Sequence, residues 1–577
     1  MRVNENLPSS MQQLKDAEIF NHGHLPVAAA FCKRLKLVDL VNDLVPSQME
    51  LEPGHLVQAM VLDTLSGRTP LYRLQHFMAK QDIELLLGKS VPAEKFNDTN
   101  LARGLDAIFE SGTSKILTRL GVEASRQFSL DATTVSYDTT STNVWGDYTY
   151  SQNDEGPTIT HGYSKDHRPD LKQFMTELLC VERGVPIFGQ TLDGNSSDKE
   201  SNNRILSRIS KLMTQHGVKP GAFIYVADSA MVTKDNLKEI GSDPFISRLP
   251  ATYKECERVI AKAVEKNQWH EIGTLAENYT ASKRPIAQYK AYEGTVELYS
   301  QEYRAVVIHS SSHDKRRQKK LNKAILASEK DINKSLAKSE TQYFCEEDAK
   351  LAAQQMEKFS TRLHKVKTTI NSFEVAKPGR PPKDRPVPTQ TRYRISCTVI
   401  EKENEILKER ERSGCFVLIT TVPVKGESGL NCVELLKAYK GQYGVESNFA
   451  FLKDPLIVND IFIKKPHRID ALGMILIISL LIWRLMERNM RTYLDKKDKT
   501  IEGWEKRKTK KPTSFMMTTA IGGIMVVRMV NHQRFFFKRP GKRPSDFLEA
   551  LGVNNNVFLD PLEKCKPIIP ENFSPKG

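Results

Sequence analysis

The stretch FIYVADSAMVT (residues 223–233) holds a short, unbroken apolar run, Phe223 to Ala227, closed by Asp228. Such a run reads as a strand buried on both faces, as in the interior of a partly parallel sheet. Upstream, RQFSLDATTVS (residues 126–136) alternates Phe128 and Leu130 with polar residues and continues through Thr133, Thr134 and Val135. A second strand carrying Asp131 is expected there. Aspartates on two interior strands can converge at one edge of a sheet. Carboxylates brought that close repel unless a cation sits between them.

A third acid comes from YKGQYGVESNFAFLK (residues 439–453). On a single helix, Tyr439, Gln442, Glu446 and Lys453 fall within roughly 60° of one another. Val445, Phe449 and Leu452 point elsewhere. A carboxylate, a phenol and an ammonium on one ridge suit a helix that holds a metal and phosphates; a solvated helix face would show the same charges. Magnesium, which takes one or two carboxylates plus phosphate oxygens, satisfies three acids so arranged. Asp138, Asp193 and Asp198 are rival ligands. They rank below Asp131 and Asp228: Asp138 follows the β-rich run instead of closing a buried one, and Asp193 and Asp198 sit in a Gly/Asn/Ser-rich turn, with Asp193 the best substitute.

At this point the chain resembles the DDE transposases of prokaryotic insertion sequences, in the superfamily defined by a Tyr-x2-Arg-x3-Glu-x6-Lys motif. Tyr439, Glu446 and Lys453 match that motif at its own spacing, with Gln442 where arginine is usual. GYSKDHRPDLKQ (residues 162–173) is similar to a family motif that follows the first aspartate. The resemblance implies a ribonuclease H-like α/β catalytic core, interrupted by a β-rich and helical insertion and preceded by a helical N-terminal domain. It implies Asp131, Asp228 and Glu446 as ligands of two Mg²⁺ (or Mn²⁺) ions. Tyr439, Gln442 and Lys453 would then meet DNA phosphates beside the cut. DNA, as element ends and target, is the implied partner, with a homodimer assembled on it. The rival readings are a metal-dependent nuclease and a non-catalytic DNA-binding protein descended from a transposase.

The formal net charge of +15, from 85 Lys+Arg against 70 Asp+Glu, favours a polyanionic partner. Lys165, His167, Arg168 and Lys172 form a compact basic loop whose natural task near a metal site is to grip the scissile strand. In KPGRPPKDRPVP (residues 377–388), Arg380 lies in a Gly-Arg-Pro core that is either a plain linker or a minor-groove contact. Basic clusters at 506–511 and 534–543, the latter around Phe535 to Phe537, are either phosphate contacts or solvated charge.

Five segments are expected. Residues 1–122 are helical, for binding element ends or for packing. Residues 126–251 and 413–490 form the two parts of the core. Residues 252–412 are the insertion, with antiparallel strands over 267–309 and charged helices over 313–367. Residues 491–577 are a basic tail. In the insertion, Trp269 either stacks on an extruded base or is buried. Eight scattered cysteines contain no Cys-x2-Cys pair, so neither a zinc site nor a disulfide framework is expected. No basic-then-apolar leader opens the chain. The apolar run ALGMILIISLLIW (residues 471–483) is too short to span a bilayer and reads as a core helix. A cytoplasmic, nucleoid-associated protein with no membrane partner is the expectation.

Overall fold

The computed structural model describes residues 17–67, 73–149, 155–182, 184–219, 221–275, 286–311, 314–339, 341–378, 389–426, 429–454 and 463–568. The chain is mixed α/β and divides into two compact units. Unit 1 is formed by residues 1–247, 426–429 and 434–577, and unit 2 by 248–425 and 430–433.

Unit 1 begins with helices α1 (Leu25–Arg34), α2 (Leu37–Leu44), α3 (Pro53–Leu65), α4 (Asp98–Ser111) and α5 (Thr113–Phe128). Every residue of α3 is buried, so it is a core element and not an amphipathic surface helix. Helix α5 corrects one expectation. Ile116, Leu117, Leu120, Ala124 and Phe128 form a buried stripe at helical spacing, so Phe128 ends a helix instead of opening a strand. Ser129 then turns left-handed, at φ 50° and ψ 56°.

The sheet of unit 1 follows. Strands β1 (Thr134–Val144), β2 (Lys172–Val181) and β3 (Val185–Leu192) form an antiparallel meander. Helix α6 (Asp198–Gln215) leads to β4 (Ile224–Ala227), which pairs parallel to β1, and β5 (Phe245–Arg248) pairs parallel to β4. The spatial order is β3-β2-β1-β4-β5. One face lies against α6, where the Tyr225 hydroxyl donates to Asn202 at 3.0 Å. The other is covered by α8 (Tyr443–Leu452), which follows α7 (Cys432–Gly441), and by α9 (Pro466–Lys497).

Helix α9 is the organising mast of this unit, packing on β3 and on α1, α3, α4 and α5. By length and apolarity it could cross a membrane, but 94% of its most apolar window is buried inside the unit. Two polar clasps hold the helical region to it. Arg468 grips Asp106 with two hydrogen bonds of 2.6 and 2.7 Å, and Thr113 donates to Asp470 at 2.7 Å.

A further clasp ties the C-terminal region back. Asp82 is fully buried and receives Arg534 Nε at 2.6 Å, Arg534 Nη2 at 3.0 Å and Arg528 Nη1 at 3.0 Å. Arg534, at the start of a cluster expected to meet phosphate, is therefore a buried structural residue. Burial pushes the Asp82 carboxyl up, but the arginines and the Leu85 N–H outweigh it and hold it below the usual range.

Unit 2 carries an antiparallel sheet of β6 (His270–Gly273), β7 (Tyr289–Leu298), β8 (Gln301–Ser310) and a later strand β11 (Cys415–Thr420) that pairs with β8. Trp269 is packed edge-on against Tyr292 and His309. A long hairpin joins β9 (His364–Ala376) to β10 (Thr389–Glu401), in register from His364↔Glu401 to Ala376↔Thr389. The Pro-rich segment thus joins two paired strands instead of linking domains. Its residues 379–388, Arg380 among them, lie outside the described residues. The charged helices are Asp314–Leu336 and Glu346–Glu357. Ile325, Ile332, Met356 and Leu363 are buried, whereas Leu351 and Phe359 are exposed.

Asp82→Ala removes the buried carboxylate that Arg534 and Arg528 share, leaving Arg534 with Glu84 and Arg528 with Glu18. We expect it to cost unit 1 about 3–5 kcal/mol in denaturant unfolding. Because the folded carboxyl titrates low, the clasp's contribution is present at and above the usual carboxylate range and fades as the pH falls through the folded value. The wild-type advantage over Asp82→Ala should shrink in acid.

Candidate functional site

The parallel pairing of β1 with β4 builds the site. Tyr137 pairs with Ala227, so the next residues along, Asp138 and Asp228, stand side by side. Side chains alternate along β1. Tyr137 turns towards α6, donating to Glu177 Oε2 at 2.7 Å, while Ser136 and Asp138 face the opposite side. Asp228 closes β4 and caps the turn that follows, its Oδ1 accepting from Ala230 N at 3.0 Å. Its carbonyl accepts from the Ser247 hydroxyl at 2.8 Å.

Two further residues complete a polar cluster. Asp198, at the first turn of α6, accepts a short hydrogen bond from the Thr139 hydroxyl. Lys165 places its Nζ 3.2 Å from Asp198 Oδ1 and 3.8 Å from Asp138 Oδ1. The same ammonium donates to the Thr139 carbonyl at 2.6 Å and its hydroxyl at 3.0 Å. Lys165 is itself seated by its backbone N–H, which donates to Ser141 Oγ at 3.0 Å.

The electrostatics follow from this crowding. Burial pushes the Asp138 carboxyl up to about 7; Asp228 and Asp198 push the same way, while Lys165 and the Thr139 N–H oppose them. The side chain remains 22% exposed, so the group is hemmed in by protein yet open to a solute at one side. Asp228 is also raised, chiefly by burial and then by Asp198, with Ala230 N–H and Lys165 opposing. Carboxylates held in this way take up a proton or a cation.

Glu446 comes from α8, which lies over β1 and β2. Asn448 anchors the helix, its amide donating to the Gly184 carbonyl at 2.7 Å and touching Cys180 Sγ at 3.3 Å. Cys180 pairs with Ser136, two residues before Asp138 on the same face. Glu446 is exposed, and no hydrogen bond or ion pair engages it among the described residues. At the far end of the helix, Lys453 holds Asp166 with bonds of 2.7 and 2.8 Å. Among the described residues, no group of three or more His, Cys, Asp or Glu side chains is closed up tightly enough to hold a metal as it stands.

Several expected site residues lie elsewhere. Asp131 sits in the turn before β1, seven residues from Asp138, which is about 23 Å along an extended strand. It is exposed; its N–H donates to Glu182 and its carboxylate accepts from Thr133 N. It lines a cleft of about 570 Å³ with Glu182, Arg484 and Arg488. It therefore cannot share a cation with Asp228. Asp193 accepts from Thr158 N at 2.7 Å and serves a loop.

The helix expected over residues 439–453 tightens at Gln442, whose backbone stays helical at φ −57° and ψ −23° while Gln442 N bonds Tyr439 O and Val445 N bonds Gln442 O. Tyr439 belongs to α7. Gln442 is buried at 8% exposure, at the N-cap of α8 and in line with Val445, Phe449 and Leu452, and so lies off the ridge that carries Glu446. Arg168 is clamped to Asp170 and lies over the Trp145 ring at 5.2 Å. Lys172 donates to the Asp147 and Tyr148 carbonyls. Asp138 was legible in one signal: following the helical stripe to Phe128 delays the strand to Thr134, leaving Asp138 as the acid within it.

With the geometry in place, comparisons with known proteins add little. A family model described as "Domain of unknown function (DUF4277)" matches residues 17–122, the helical N-terminal region. No curated protein matches the chain.

The raised Asp138 group predicts a pH dependence. A carboxyl that titrates near 7 when folded and in the ordinary range when unfolded stabilises the metal-free protein most at low pH. That contribution is lost as the pH rises through about 7. In chelator, the wild type should lose stability relative to Asp138→Asn between about pH 4 and about pH 7 in thermal melts. Parallel curves for the two proteins would contradict the placement.

Proposed function

We propose that this protein is a DNA transposase of the DDE type, with Asp138, Asp228 and Glu446 as its three acids. The observation that carries the reading is the parallel β1–β4 register, which sets two raised carboxylates side by side at one face of the sheet. The strand order β3-β2-β1-β4-β5, three antiparallel strands followed by two parallel ones, is the arrangement expected of a ribonuclease H-like core. The third acid on a helix over the same face and the basic balance of the chain are further support.

The donor set fits a divalent metal. Asp138 and Asp228 are adjacent, partly desolvated oxygen donors, and a cationic ammonium already lies among the acids of this cluster. Two Mg²⁺ ions, or Mn²⁺ in their place, would supply an activated water and neutralise charge on the phosphate. The residues of the chain then have separate tasks. Asp138 and Asp228 fix the reacting centre on rigid strands, and Glu446 approaches from α8 as the movable third ligand. Lys453, at the end of α8, is placed to exchange Asp166 for a phosphate of the scissile strand. Element ends and target DNA are the partners, a homodimer on DNA the working form, and the cytoplasmic nucleoid the setting. Water cuts the element's end, and the freed 3′-hydroxyl attacks the target.

The test is Mg²⁺-dependent cutting of a duplex that carries the sequence flanking the protein's own gene. Asp138→Asn and Asp228→Asn should each lower cutting by at least about 100-fold, with Asp131→Asn close to wild type. Loss in Asp131→Asn with activity retained in Asp138→Asn would overturn the assignment. Cutting without joining of a pre-cut end would make the protein a nuclease instead.

A further inference from the structure

Lys165 has surroundings unlike those of a solvent-facing phosphate contact. Its Nζ has four oxygens at 2.6 to 3.8 Å: the Thr139 carbonyl and hydroxyl, Asp198 Oδ1 and Asp138 Oδ1. Oxygens from a backbone carbonyl, a hydroxyl and two carboxylates make a shell of the kind a hard cation takes. The ammonium also favours the charged forms of both Asp138 and Asp228, so its influence reaches the whole cluster. Meanwhile the side chain is 25% exposed, and its unbranched four-carbon stem gives it a route out by rotation alone.

We infer that Lys165 is a resident counter-cation, which holds the carboxylate cluster together when no metal is bound and is displaced when a divalent ion enters. This rests on the metal-dependent reading above. Asp138 is common to the ammonium's oxygens and to the proposed metal ligands, and a Mg²⁺ ion held there at about 2.0–2.1 Å repels an ammonium 3.8 Å from the same carboxylate. Displacement turns Lys165 outwards, where a DNA phosphate can take it. Metal and DNA binding are thereby coupled: a phosphate that draws Lys165 away favours the metal, and the metal frees Lys165 for the phosphate. The contact with the scissile strand expected of this residue belongs to the metal-loaded state.

The experiment is Mn²⁺ titration of the full-length, metal-stripped protein by calorimetry, with and without duplex DNA, for wild type, Lys165→Met, Lys165→Arg and Asp138→Asn. Lys165→Met should bind Mn²⁺ at least about tenfold more tightly than wild type in the absence of DNA, because the competing charge is gone. Lys165→Arg, which keeps the charge, should stay near wild type. DNA should tighten Mn²⁺ binding to the wild type but not to Lys165→Met. Lys165→Gln, which keeps a donor for the Thr139 carbonyl, replaces the methionine variant should that one fail to fold. Mn²⁺ binding that Asp138→Asn abolishes but Lys165→Met leaves unchanged or weakens would overturn the inference alone. Binding that is absent in the wild type, or indifferent to Asp138→Asn, would overturn the metal reading and this inference with it.

Discussion

The parallel hydrogen-bonded register between β1 and β4 is the constraint on which the rest depends. Thr134 pairs with Ile224 and Tyr137 with Ala227, so one further step sets Asp138 beside Asp228. A slip of one residue would turn every side chain of β1 to the other face. Tyr137 and Tyr225, both fully buried, make that slip costly by locking their hydroxyls to Glu177 and Asn202 on the α6 side. The two tyrosines hold the register, and the register delivers the two acids to the opposite face.

That opposite face is supported by a scaffold out of proportion to the small sheet. Helix α9 runs for 32 residues beneath β3 and gathers α1, α3, α4 and α5 around itself. Gly473 allows it to come close, since a Cβ there would sit 2.4 Å from the Thr191 hydroxyl. Arg484 on the same helix donates to Asn448 and Ser447, and so fixes the angle of α8, the helix that carries Glu446. Asp138 and Asp228 thus sit on strands, and Glu446 on a helix held by Asn448 and Arg484.

Much of this was legible in the sequence. The strand closed by Asp228 and the antiparallel strands within 267–309 both follow from apolar patterning. The place of Asp138 beside Asp228 was not. Alternation of Phe128 and Leu130 imitates a strand over a few residues, whereas the helical stripe from Ile116 to Phe128 becomes visible only over four turns. Asp138 was passed over because it does not close a buried run; in the fold it lies within a long strand whose partner ends beside it. Local pattern predicts where a strand is, but not which of its residues faces a neighbour's end. Gln442 shows a related limit, since it stands at helical spacing both from Val445, Phe449 and Leu452 and from Glu446, and only its burial decides between the two faces.

The most direct measurement is the position of the bound metal on the chain. Fe²⁺ exchanged into the metal-stripped protein, with ascorbate and peroxide, generates radicals that cut the backbone within a few ångströms of the ion. Mass spectrometry of the fragments then reads the site. Cuts clustered around Asp138 and Asp228, lost in Asp138→Asn, are the predicted result. Cuts around Asp131 and Glu182, with none near Asp138, would contradict the account.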